Sequence, residues 1–199
     1  MSSVGTRPDS LYTLAETQGG YFTSADASAL GYSTAHQHFH VKRGNWIRIN
    51  RAIYRLKRFP ASRHEDLIQW WLWTRKKGVI SHESAAAAYD LGEVLPSKTH
   101  VTVPPEFRKI PAPGLILHKA RLEPKDTESR EGFRLTTPLQ TILDLARSHL
   151  DPERLTAVVR DAIAKGLVQK HALLNILTTM PPDIDPATQV TLQLALREP

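Results

Sequence analysis

The chain has 199 residues, 41% of them hydrophobic, a formal net charge of +6 and no cysteine. That length suits one ordinary domain or a small module joined to a larger one, and the missing thiols exclude disulfides, a thiolate nucleophile and a cysteine zinc site. No run of about eighteen apolar residues is present, and Met1-Ser2-Ser3-Val4-Gly5 has neither a basic stretch leading into an apolar one nor a cleavage site.

The expectation is a cytoplasmic protein without a membrane partner. Charge is unevenly spread. Residues 1–80 hold twelve Lys or Arg against five Asp or Glu, net +7, whereas residues 81–199 hold fourteen against fifteen, net −1. From Ala27 to His64 there are eight basic residues and no acidic one, so a surface for a polyanion is expected in the first part.

In chain order, Asp9 or Ser10 caps a first helix with Leu11, Leu14 and Ala15 on one face, and Gly19-Gly20 ends it. Thr23 and Asp26 have the spacing of a capping box for a second helix that closes at Leu30-Gly31. Ser33 or Thr34 starts a third, which runs to Lys42 or Arg43 and stops at Gly44. The period then becomes alternating: Trp46, Ile47, Ile49, Ile53, Tyr54 and Leu56 fall among Arg48, Arg51, Arg55 and Lys57, with a turn at Asn50-Arg51. Three helices followed by a hairpin spell a winged helix-turn-helix over residues 8–58. The hairpin is expected to pack on the third helix through Tyr32, Ala35 and Phe39.

Phe59-Pro60-Ala61-Ser62 reads as a boundary, and residues 63–196 as a second domain of mixed α/β character. A helix is expected from Arg63 to Lys77, where three tryptophans in four residues require burial on more than one side. Val79-Ile80 leads to Ser81, the cap of an Ala-rich helix reaching Tyr89-Asp90. Thr99–Val103 and Leu115–His118 are strand candidates around a Pro-rich loop. Further helices begin at Pro138, Pro152, Lys170 and Pro186, the third ending before Pro181-Pro182. The fold class is therefore α+β.

A third helix of this kind enters the major groove, and its inward face fixes what points outward. With Tyr32, Ala35 and Phe39 inward, the outward set includes Thr34, Gln37, His38 and Lys42. Gln37 is the leading base reader, because a side-chain amide pairs bidentately with adenine, with Thr34 and His38 next. Lys42, Arg43, Arg48, Arg51 and Arg55 are assigned to phosphates, giving a salt slope near −5 for five or six neutralised charges.

Two histidine groupings have the residue types of a chemical site. His36 and His40 have the i,i+4 spacing of helix metal ligands, yet neither a thiolate nor an H-E-x-x-H arrangement accompanies them. Ser81-His82-Glu83 is adjacent in sequence, unlike a triad. His100 and His118 approach His82 only if their strands pack beside it. With no Walker loop, Gly-rich dinucleotide turn or paired acidic metal motif, no cofactor, no metal and no catalytic residue are expected.

The chain resembles the AbiEi family, the antitoxins of type IV toxin-antitoxin systems, in its mycobacterial and actinobacterial branch. The resemblance rests on Gly20-Tyr21-Phe22-Thr23, Gly31-Tyr32-Ser33, His40 to Trp46, Arg51 to Leu56, Gly78 to Ala85, His100 to Pro104, Leu135 to Asp144 and Arg160-Asp161-Ala162, together covering about residues 10–175. It implies a winged helix that binds inverted repeats in its own promoter on double-stranded DNA, and a second, antitoxin domain that opposes a nucleotidyltransferase-like toxin. The family usually has Gly where Ala52 stands here, which argues against a left-handed backbone at that position. The alternative is a DNA-binding regulator without a toxin, its second domain serving dimerisation or protein interaction. No heptad seam chooses between a monomer and a dimer.

Overall fold

Leu11 and Ala15 lie one helical turn apart on α1 (Arg7–Glu16), and both are buried. They join Phe22, Ala27, Tyr32, Trp46 and Tyr54 in the core of the first of two units, which comprises residues 1–76 with 129–133. The second comprises residues 77–128 with 134–199. The computed structural model describes residues 7–179 and 182–197; the expectations for Met1–Gly5 and for a stop at Pro181 lie outside them. Among the described residues no helix is long and apolar enough to cross a membrane.

After α1, the short strand β1 (Tyr21–Thr23) runs directly into α2 (Ser24–Ala29). Thr23 and Asp26 form the anticipated capping box: Asp26 N donates to Thr23 Oγ1 at 3.1 Å, and Thr23 N donates to Asp26 Oδ2 at 2.9 Å. Helix α3 (Thr34–Lys42) is capped by Ser33, whose Oγ accepts from His36 N. Strands β2 (Trp46–Asn50) and β3 (Ile53–Leu56) form the hairpin, and β1 adds to β3, giving an antiparallel sheet of order β1-β3-β2. The three residues of β1 carry no alternation long enough to be read from sequence. The ring of Trp46 meets Phe22 edge-on at 4.8 Å and Tyr32 at 5.2 Å, so the sheet closes over the helices through aromatic contacts.

Two expectations are corrected here. The hairpin connection is Arg51-Ala52, and Ala52 sits in the left-handed region at φ +61°. The bulge between Arg48 and Asn50 and the tight two-residue link require that geometry even without glycine. The inward face of α3 is also different: Ala35 is exposed and Phe39 is 49% exposed, whereas Gln37 is buried.

Helix α4 (Glu65–Trp73) buries Leu67, Ile68 and Leu72, with Trp70, Trp71 and Trp73 half-buried around them. It is shorter than expected at both ends. Arg75 and Lys76 take left-handed φ values of +59° and +62°, which end the helix, and Lys76 Nζ then reaches Asp26 Oδ1 at 2.8 Å. Gly132, at φ +97°, is held so closely that an added Cβ would lie 2.7 Å from the Gln18 backbone.

The second unit is built on a mixed sheet of order β6-β5-β4-β8-β7. Strand β4 (Val79–Ile80) precedes α5 (His82–Ala88), and β5 (Thr99–Val103) pairs antiparallel with β4 and parallel with β6 (Leu115–Lys119). Strands β7 (Thr127–Arg130) and β8 (Phe133–Thr136) complete it, β8 parallel to β4. Neither was expected: β7 is four polar residues, and β8 leads straight into the Thr137-capped α6 (Pro138–Arg147), whose start dominates the local pattern. Helices α7 (Pro152–Ala164), α8 (Lys170–Thr179) and α9 (Pro186–Arg197) follow. The chain is thus α+β, with helices and strands mixed in both units.

Candidate functional site

Two groups of side chains in separate units bear on function. The first is on α3 and the hairpin. Gln37 is fixed inward by its amide: the two Nε2 protons are shared among Tyr32 O at 3.1 Å, Ser28 Oγ at 3.0 Å and Ser24 O at 3.2 Å, and Oε1 accepts from Ser24 Oγ at 2.6 Å. With its amide fully used, Gln37 ties α3 to α2 and presents nothing outward. The base-reading position expected for it is therefore corrected.

Rotating the face in this way exposes Thr34, His38 and Lys42, spaced i, i+4, i+8, with Ala35, Phe39 and Arg43 beside them. Arg43 lies over the Phe39 ring at 5.2 Å, which accounts for an aromatic on the open face. His40 turns the other way and stacks on Trp46 at 4.6 Å. Burial and the neighbouring His36 hold its pKa below the usual histidine range. His36 and His40 thus diverge in role, one exposed and one packed on the core.

On the hairpin, Arg48 and Arg51 are exposed. Arg55 is not: its Nη2 donates to Phe59 O at 2.9 Å, lies 3.4 Å from Glu65 Oε1, and its guanidinium sits over Tyr21. Only 15% of that side chain is accessible. Its assignment to a phosphate is corrected, because the charge is already neutralised inside the unit.

The second group lies in the other unit, where the strands do pack so that His100 and His118 meet His82. Strand periodicity places His100 and Thr102 on one face of β5, and the parallel register pairs Thr102 with His118 on β6. His100 Nδ1 consequently lies 3.1 Å from His118 Nε2. Ser81, whose N donates to His100 O, ends β4 beside them and delivers His82. His82 stacks on His118 at 3.5 Å with ring planes 14° apart.

The side-chain cap expected of Ser81 is not made; its Oγ instead accepts from Thr102 Oγ1 at 2.8 Å and pairs with His82 Nδ1 at 2.9 Å. His82 itself is held at φ +53°, a conformation costly for a residue with a Cβ and concentrated at functional positions. Burial, reinforced by the other two imidazoles, pushes His82 down to about 3. Burial with His100 beside it takes His118 down to about 4, and burial also lowers His100. His82 and His118 are therefore neutral near pH 7.

His82 and His118 open onto a cavity of about 510 Å³ that also involves Asp126, Gln140, Asp144 and Arg147. Burial raises the Asp144 carboxyl to about 6 against the hydrogen bond from Gln140 and the charge of Arg147. Gln140 Nε2 donates to Asp144 Oδ1 at 2.7 Å, and Oδ2 has no hydrogen-bond partner among the described residues.

These features define an α+β protein with an exposed basic surface in one unit and a half-buried imidazole cluster in the other. No family model matches the chain, and no curated protein matches it. Among solved structures, the crystal structure of the RV2827C protein from Mycobacterium tuberculosis is similar, at 14% sequence identity and a TM-score of 0.55 over the whole of this chain and 80% of that one. The likeness is one of fold.

Proposed function

We propose that the chain is a DNA-binding transcriptional autorepressor of the AbiEi antitoxin type, a binding protein rather than an enzyme. Residues 8–58 act as a winged helix-turn-helix, and residues 63–196 as the domain that counters a nucleotidyltransferase-like toxin. The observation that carries DNA binding is the open face of α3: Thr34, His38 and Lys42 stand in one exposed row, with exposed Arg43, Arg48 and Arg51 in the same acid-free segment. Thr34 and His38 take the base-reading role, and the four cations contact phosphates. The toxin partner rests on the family resemblance, carried by segments such as Gly78 to Ala85 and Leu135 to Asp144.

The test is binding of the purified protein to genomic fragments, followed by sequencing of those retained and a salt titration on the winning duplex. Enrichment of an inverted repeat beside the chain's own coding region is expected, with log affinity falling against log salt at a slope of about −4 for four phosphates. Salt-independent binding, or no selection among fragments, rejects the reading. Co-purification with the product of a neighbouring nucleotidyltransferase-like reading frame separates an antitoxin from a regulator without a toxin.

A further inference from the structure

We propose that His82, His100 and His118 form a zinc site, with three imidazole ligands and a fourth position turned to the adjacent cavity. The inference does not depend on DNA binding or on a toxin partner. The ligand nitrogens of the three rings already lie within 4.8 Å of one another. In a tetrahedral site with Zn–N near 2.0–2.1 Å the ligand nitrogens are about 3.3 Å apart, and the His100–His118 pair stands at 3.1 Å. Binding requires the His82 nitrogen to close from at most 4.8 Å to about 3.3 Å of the other two, the His82 ring tilting off its stack with His118 while Ser81 keeps hold of Nδ1.

The surroundings match what such a site needs. An imidazole, with an ordinary pKa of about 6.5, has a lone pair to give a metal ion at pH 7. Ser81 Oγ, fixed by Thr102, is placed to accept from His82 Nδ1–H and leave Nε2 as the ligand, the outer-shell arrangement that sets tautomer and ring orientation. His100 and His118 now share one hydrogen bond, so one facing nitrogen carries N–H; on binding, that ring takes the other tautomer, its proton moving to the far ring nitrogen, and both facing lone pairs turn to the ion. Three imidazoles without thiolates suit zinc better than the hard cations magnesium and calcium, which prefer oxygen ligands. Thr102, Asp144 and Arg147 line the cavity with His82 and His118, leaving polar space for a water or an anionic group on the ion.

The experiment uses the full chain stripped with chelator and titrated with Zn2+ alone, then with Co2+. One equivalent bound with a dissociation constant below about 1 µM is expected, together with the intense visible absorption of four-coordinate Co2+. His100→Gln and His118→Gln should each weaken Zn2+ binding at least tenfold, the order expected on loss of a supporting or ligating group, while a His36→Ala/His40→Ala double variant binds as the parent does. Circular dichroism checks each variant for folding. Should the two Gln variants fail to fold, paramagnetic broadening by Co2+ in the parent decides: imidazole signals of His82, His100 and His118 lost first support the site. Absence of a one-equivalent event in the parent overturns it, as does binding that vanishes in the His36/His40 variant or broadening that begins at those residues.

Discussion

Gln37 Nε2 donates to the carbonyl of Tyr32 at 3.1 Å, and this bond turns a residue that looks like a base reader into a buried strut between α2 and α3. Replacing Gln37 by Leu leaves Tyr32 O and the Ser24 and Ser28 groups without their partner. The first unit should lose about 2–3 kcal/mol, within the range for buried polar groups deprived of a bond. Chemical denaturation measures the loss. If DNA affinity of the folded variant keeps its full preference for target over random duplex, the strut role stands; a selective loss of preference at unchanged stability returns Gln37 to the interface.

Arg48 and Arg55 should behave oppositely. Arg48→Ala is expected to change stability by less than about 0.5 kcal/mol and to make the salt slope of DNA binding shallower by about one. Arg55→Ala strands Glu65 and the Phe59 carbonyl, so it should cost about 2 kcal/mol and leave the salt slope of the folded protein unchanged. Paired denaturation and salt titrations distinguish them.

Ala52 carries strain that glycine relieves. A left-handed alanine costs roughly 1–2 kcal/mol, part of which glycine returns through greater unfolded-state entropy. Ala52→Gly should therefore stabilise the protein by roughly 0.5–1 kcal/mol, seen as a higher melting temperature. A lower one would mean that Ala52 does not hold this backbone in solution.

Asp144 sets a pH dependence. Its carboxyl is raised by burial to about 6, against about 3.9 in an unfolded chain. Between those values the native state holds a proton that the unfolded state has released, so stability falls as pH rises from about 4 to about 6, by an amount of order 2–3 kcal/mol. Asp144→Asn removes this contribution. The difference in unfolding free energy between parent and variant should shift in the variant's favour across that window, and a constant difference would contradict the buried carboxyl.

Short-range chemistry was legible in the amino-acid sequence. The Thr23–Asp26 box, the Ser33 cap and the Pro138 and Pro152 starts depend on residues within one turn of each other, so spacing alone reveals them. The acid-free basic segment is likewise visible as composition. The face of α3 was not. Ala35 and Phe39 look like an inward seam because they are i,i+4, but the position buried is the one whose hydrogen-bond partners stand on α2 and at Tyr32. The burial of Arg55 is hidden for the same reason: its neutralising partner, Glu65, follows the Phe59–Ser62 boundary and belongs to another element.

What the sequence determined by itself is where helices begin, where charge accumulates and which residue types are available, because these follow from local propensity and counting. Tertiary structure alone decided that His82, His100 and His118, each separated by eighteen positions, meet at one point. Their meeting depends on the register of β5 with β6 and on β4 ending beside His100. Strand pairing over such separations is selected by the packing of the whole sheet, and no local pattern encodes it.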